Sequence, residues 1–256
     1  MPDPQATALL IHGAWAGAWV WDTLTPFLEE RGLKVLAPDL PGCGTRLGDP
    51  TQASLEHCVF ELEKQLDAVE GPLLLVGHSG GGAVATQLAE AVYPQVTGVA
   101  YLAGMMLPSG MSFGNLVAEM VGQYPEASGI SPFLEWQDDG RVSHVPGPAI
   151  RRIFLQDIDE QVAEQVIPRF GPQAEGSRIL VPRWTQDRFG RLPRLYIEAR
   201  RDQSVILPVQ RRMQALVPGA EVVSLDTGHV PQLAAPEAVA DALAQFSGQP
   251  LGLPFS

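Results

Sequence analysis

The 256-residue chain is poor in cysteine, in basic residues and in long apolar runs, and each scarcity excludes something. Two cysteines, Cys43 and Cys58, make no disulfide framework. Cys58 falls on an apolar helical stripe and reads as core, whereas Cys43 falls in a Gly-rich loop. Lys and Arg number 17 against 29 Asp and Glu, for a formal net charge of -12, and the basic residues are scattered. Binding nucleic acid needs clustered cations, so it is not an expected partner. The acidity suits solubility and works against anionic ligands. No stretch approaches the roughly 18 unbroken apolar residues of a membrane span. The first apolar run is only Ala8 to Ile11, and Met1 to Gln5 lacks the basic start of a signal peptide. The expectation is a soluble, cytoplasmic, globular protein.

What is present is a rhythm of strand and helix. Ala8-Leu9-Leu10-Ile11 is continuously apolar, as a strand buried on both faces must be. Val20, Leu24, Phe27 and Leu28 then mark one helical face that stops at Gly32. Lys34 to Pro38 is a second strand, and Asp39 to Pro50, dense in Gly and Pro, is loop. Leu55, Cys58, Val59, Leu62, Leu66 and Val69 recur at helical spacing. Pro72 to Gly77 is a strand, Gly80 to Tyr93 a small-residue helix and Val96 to Ala103 a strand. Such alternation calls for a parallel sheet with helices on both faces. The rhythm breaks after residue 104 and resumes near 191, with strands at Leu195 to Ala199 and Glu221 to Leu225 and helices at Val209 to Leu216 and Pro236 to Phe246. The chain therefore divides into a core, 1–104 and 191–256, and an inserted lid, 105–190, with helical patches at Ile150 to Leu155 and Asp159 to Val166.

Gly77-His78-Ser79-Gly80-Gly81 fits G-x-S-x-G, with a strand leading in and a helix leading out, the context in which the motif has chemical meaning. A serine on so sharp a turn stands clear of the sheet, and the positions two before and two after it must be small. The helix behind it aims free N–H groups at the site. Serine is a poor nucleophile until a base takes its proton. Of five histidines, His12 ends the first strand, His78 sits inside the elbow, His57 lies on a solvated helix face and His144 lies in the insertion. His229, after the last strand, comes where the chain order nucleophile, acid, base requires. Asp202, in the loop after the penultimate strand, is the candidate acid that orients the imidazole. Asp226 and Asp187 are its rivals. Two donors must meet the developing oxyanion. The backbone N–H groups of Gly80 and of Ala14, in the loop His12-Gly13-Ala14-Trp15, are the candidates, and His12 is read as pinning that loop.

Taken together, His12-Gly13-Ala14-Trp15, Gly17-Ala18-Trp19, Trp21, Asp39-Leu40-Pro41-Gly42, Gly77-His78-Ser79, Asp202 and Gly228-His229 resemble an α/β-hydrolase. The set is similar to the branch that holds plant methylesterases, hydroxynitrile lyases and bacterial esterases. The resemblance implies a mainly parallel sheet flanked by helices, a small lid, no cofactor and often a homodimer. It also separates two activities. The lyases look to have a threonine where this chain has Gly13 and a lysine where it has Val230, so hydrolysis of a small-molecule ester is favoured over cyanohydrin cleavage. A dehalogenase or epoxide hydrolase would need an aspartate at Ser79. A ligand-binding protein with a vestigial triad is the alternative outside catalysis. Where such proteins often carry a bulky residue after the nucleophile, Gly80 implies a roomier acyl site.

The insertion is apolar, with Met105, Met106, Phe113, Leu116, Met120, Phe133, Trp136, Phe154 and Trp184. Most of these are expected in lid core. Trp15, Met105, Met106, Phe113, Trp136 and Val230 are the expected substrate contacts, suited to a neutral hydrophobic ester.

Overall fold

The structure, a computed structural model, describes residues 6–248. Met1 to Gln5 and the last residues assigned to the core lie outside that range. Nine strands form among the described residues: β1 (Thr7–Ile11), β2 (Lys34–Leu36), β3 (Leu73–His78), β4 (Val96–Leu102), β5 (Glu135–Gln137), β6 (Val142–His144), β7 (Gln173–Ala174), β8 (Arg194–Ala199) and β9 (Ala220–Leu225). Six of them make one sheet in the order β2-β1-β3-β4-β8-β9, and every neighbour pair is parallel.

The apolar runs alternate between two cores because successive side chains leave a strand on opposite faces. Leu9, Ile11, Leu73, Leu75, Val99 and Tyr101 face one cluster, and Ala8, Leu10, Leu74, Val76, Ala100 and Leu102 face the other. The first cluster is covered by helices α2 (Leu55–Leu66) and α3 (Gly81–Ala91) and by the helix Leu207–Leu216. The second is covered by α1 (Thr25–Glu30) and by the helix Pro236–Ser247, whose Phe246 seats against Gly98 so closely that a Cβ there would lie 2.7 Å from its ring. The hydroxyls of two buried tyrosines are satisfied: Tyr101 pairs with Thr86 Oγ1 at 2.8 Å, and Tyr196 donates to Gly104 O at 2.9 Å. Among the described residues no helix is long and apolar enough to cross a membrane.

The strand order reverses direction between β1 and β3, and a crevice opens beyond the carboxyl ends of strands at such a point. The register makes this concrete. Ile11 pairs with Gly77, His78 with Leu102, Leu102 with Ile197, and Ala199 with Leu225. The loops that follow β1, β3, β8 and β9 therefore leave the sheet along one edge.

Two sequence expectations about helices need correction. Val20 to Leu28 is not one helix but a 3-10 turn, Ala18–Trp21, followed by α1, because Pro26 in the first turn starts a new helix. Val69 lies past the end of α2. Between β4 and β8 the expected helical patches form as a π-helical turn, Ile150–Phe154, and a helix, Glu160–Val166, capped by Asp159. The same region also holds a three-stranded antiparallel sheet, β5-β6-β7, and a helix, Phe113–Met120, entered through a Ser112–Asn115 capping box.

Candidate active site

The elbow between β3 and α3 is made by close backbone approach. Ser79 has φ of +52°, a left-handed conformation costing a non-glycine residue on the order of 1 kcal/mol. Hydrogen bonds hold it there. Ser79 N–H donates to Leu102 O at 3.2 Å, and Ser79 O accepts from Gly82 N–H at 3.0 Å and from Met105 N–H at 2.8 Å. A Cβ at Gly77 would sit 2.6 Å from Gly81 O and Gly82 N, and one at Gly81 would press on Ile11 O and lie 2.6 Å from His12 O. The positions two before and two after the serine thus have no room for a side chain.

His229 Nδ1–H donates to Asp202 Oδ2 at 2.8 Å, and both residues are buried. The other carboxylate oxygen accepts from Ser204 N–H at 2.7 Å and Val205 N–H at 2.9 Å, so only Oδ2 is turned to the ring. That arrangement fixes the proton on Nδ1 and leaves Nε2 as an acceptor. Asp226 and Asp187 are exposed and paired with Arg201 and Arg191. His229 and Ser79 line the same cavity. Among the described residues no hydrogen bond joins Ser79 Oγ to His229 Nε2, and the imidazole's one side-chain partner is Asp202.

The other histidines take up structural work. His12 Nε2 accepts from Leu40 N–H at 3.0 Å while Nδ1–H donates to Gly13 O at 2.8 Å, so it ties the loop after β1 to the loop after β2. Burial holds its pKa below the ordinary imidazole value. His78 points away from its neighbour's hydroxyl and donates through Nε2–H to His229 O at 2.8 Å. Burial, and then the nearby His229, push its pKa down to about 3. His57 lies on the surface of α2 and His144 on β6.

Trp15, at φ +60°, closes the loop after β1. Its N–H donates to Gln173 Oε1 and its indole N–H to Ser143 Oγ, both at 3.1 Å. Beside it the N–H groups of Ala14 and Gly80 have no protein acceptor among the described residues. A Cβ on Gly80 would lie 3.9 Å from Ala14 N, so the two residues are close neighbours at the cavity. Gly13 backs directly on the elbow, where a Cβ would meet Ser79 Cβ at 2.8 Å.

A cavity of about 360 Å³ opens above these groups. Of the residues read from the sequence as substrate contacts, Trp15, Met105, Phe113 and Val230 line it. Met106 and Trp136 do not. Met106 is fully buried in the core, whereas Met105 is partly buried against the same cluster and also lines the cavity. Trp136 stands 46 % exposed on β5, beneath the Arg178 guanidinium. Sequence reasoning missed Phe170 and Leu180 as lining residues and placed Phe154 only in the lid. Apart from the imidazoles, Arg178 is the one charged lining side chain among the described residues, and Glu175 neutralises it through bonds of 2.6 and 2.5 Å. Cys43 and Cys58 are buried free thiols, each pushed up to about 12 by burial and so unreactive. Among the described residues no cluster of His, Cys, Asp or Glu is placed to hold a metal ion.

A parallel sheet with a serine elbow at its switch point defines the class of the protein. The profile of the alpha/beta hydrolase family matches residues 8–242, and the chain belongs to that family. It is similar to the pyrethroid hydrolase of Sphingobium wenxiniae, at 33% identity over 255 residues, covering 94% of this chain and 88% of that relative. It is also similar to methylesterase 7 of Arabidopsis thaliana, at 25% identity over 243 residues, covering 91% and 93% of the two chains. The crystal structure of a pyrethroid hydrolase from Sphingobium faniae superposes with a TM-score of 0.83 at 30% identity, covering 96% of this chain and 98% of the other.

The buried histidines give a prediction. An unfolded His78 titrates near ~6.5, and the folded one near 3. Between those values the unfolded state binds the extra proton, so stability is fully present above the unfolded value and is lost as pH falls. The melting temperature should drop between neutral pH and pH ~4, and His78→Gln should flatten that slope by about one proton's worth. An unchanged slope in the variant would contradict the assignment.

Proposed function

We propose that the protein hydrolyses carboxylic esters of neutral, hydrophobic small molecules through an acyl-enzyme on Ser79. Ser79 Oγ attacks the ester carbonyl while His229 Nε2 takes its proton. The tetrahedral oxygen settles between the N–H groups of Ala14 and Gly80. Collapse expels the alcohol, which receives the proton from His229, and a water activated by the same imidazole then releases the acid. Asp202 keeps the ring in the required tautomer and stabilises the imidazolium.

The observation that carries the reading is the buried Asp202–His229 hydrogen bond of 2.8 Å, opening on the cavity that holds the elbow serine. The apolar lining with its one cation neutralised supports an uncharged substrate. The names of the relatives, pyrethroid hydrolase and methylesterase, support ester hydrolysis. Cyanohydrin cleavage loses support, since the threonine that reading wants at residue 13 would collide with Ser79, and Val230 stands where a lysine is wanted. In the same reading residues 105–190 act as the lid over the cavity, and Trp15, Met105, Phe113 and Val230 touch the substrate. A cytoplasmic location, which two free thiols suit, and a homodimer belong to it as well.

Two measurements test this. A fluorophosphonate should label Ser79, and Ser79→Ala should lose both labelling and turnover across a panel of aryl and alkyl esters, a fall of about 10⁴-fold or more. Tight binding of a hydrophobic ligand with no turnover of any ester would favour a receptor instead. On the acyl side, the space beyond Gly80 reaches Leu180, whose Cδ1 would lie 3.8 Å from a Cβ placed on that glycine. Gly80→Leu should lower kcat/KM for bulky acyl esters about tenfold relative to acetyl esters. An unchanged ratio would remove the roomy acyl site.

A further inference from the structure

The turn that follows Phe154 in the insertion reaches down to both loops that carry the acid and the base. Gln156 Nε2–H donates to Arg201 O at 2.8 Å, and Arg201 directly precedes Asp202. Asp157 Oδ2 accepts from Gly228 N–H at 2.5 Å, and Gly228 directly precedes His229. The Asp157 side chain is only 5% exposed, and the Arg201 guanidinium lies 3.6 Å from it. Arg201 also ties the two loops to each other, through its N–H to Thr227 O at 2.9 Å and its guanidinium to Asp226 O.

A separate observation shows how closely this turn is seated. A Cβ at Gly228 would lie 2.5 Å from both Asp157 Oδ1 and Gln156 Nε2, so residue 228 is glycine to admit these two side chains. Just before them, the Phe154 ring stacks on the His229 ring at 5.1 Å and 28°, from the end of the π-helical turn. π-helical turns occur often at functional sites. On another side of the imidazole lies His78, at 4.9 Å.

We propose that Gln156 and Asp157 are positioning residues, a two-pronged clamp from the insertion that grips the residues directly preceding the acid and the base and sets both loops for catalysis. The proposal rests on the reading of Asp202 and His229 given above. Neither clamp residue touches substrate. Each acts by fixing the backbone from which a reacting side chain projects, and small misplacements of such groups are costly to rate.

The test is steady-state hydrolysis of p-nitrophenyl butyrate by Asp157→Ala, Gln156→Ala, Gly228→Ala and Asp157→Asn, with active sites counted by exhaustive fluorophosphonate labelling. Turnover per labelled site should fall about tenfold or more in the three alanine variants. KM should stay within about twofold, the pattern of a loss felt in the transition state. Asp157→Asn keeps an acceptor for Gly228 N–H and should recover part of the rate. Should Asp157→Ala not fold, Gln156→Ala and Asp157→Asn carry the same comparison. Normal turnover per site, even from fewer labelled sites, means a merely structural role and overturns the clamp. Ser79→Ala run alongside separates the two ideas. An inactive Ser79→Ala beside fully active clamp variants sinks the clamp alone, whereas an active Ser79→Ala sinks the site reading and the clamp with it.

Discussion

The parallel pairing that sets Ile11 of β1 opposite Gly77 of β3 is the constraint on which the site depends. Because the strands end level, the loop after β1 and the elbow after β3 leave the sheet side by side. Their backbones then touch where any side chain would intrude: Gly13 against Ser79, and Gly81 against Ile11 and His12. Ala14 and Gly80, whose N–H groups are without protein acceptors among the described residues, lie close together at this contact. A one-residue slip of β1 against β3 would turn its side chains to the wrong core and separate the two donors. Packing and chemistry are held by the same register.

Around that fixed edge the remaining groups are held from several directions. The Asp202 carboxylate is pinned by two backbone N–H groups at one oxygen and by the imidazole at the other. The imidazole is held by its ring neighbours Phe154 and His78, and its own carbonyl accepts from His78. His78, neutral through burial, thereby joins the elbow to the loop that carries His229, while His12 joins the loops after β1 and β2. Groups so fixed need little rearrangement during reaction, which is how preorganised polar sites lower a barrier.

How much of this is legible in the sequence depends on whether a feature is local. The elbow is readable because strand, glycines, serine and helix are contiguous, and His229 and Asp202 follow from chain order and strand ends. The loop proposed to supply an oxyanion donor is readable for the same reason, as it follows the first strand directly. The insertion is harder. Glu135-Trp136-Gln137 is exposed at every residue and has no apolar alternation, so its pairing comes from tertiary contact rather than pattern. Hydrophobicity also cannot say which way a side chain turns, and so the sequence points Met106 and Trp136 at the cavity while Phe170 and Leu180 reach it. Gln156 and Asp157 carry no local signal at all, since their partners stand 45 and 71 residues away.

Catalysis of this kind requires a hydroxyl, an imidazole and two backbone donors to converge on one reacting carbon. A crystal structure of the protein inhibited with a fluorophosphonate tests that convergence most directly. The expected result is phosphorus bonded to Ser79 Oγ, with an oxygen about 2.7–3.1 Å from the N–H nitrogens of both Ala14 and Gly80, and His229 Nε2 turned to the adduct. An adduct on another residue, or one whose oxygen points away from both donors, would contradict it.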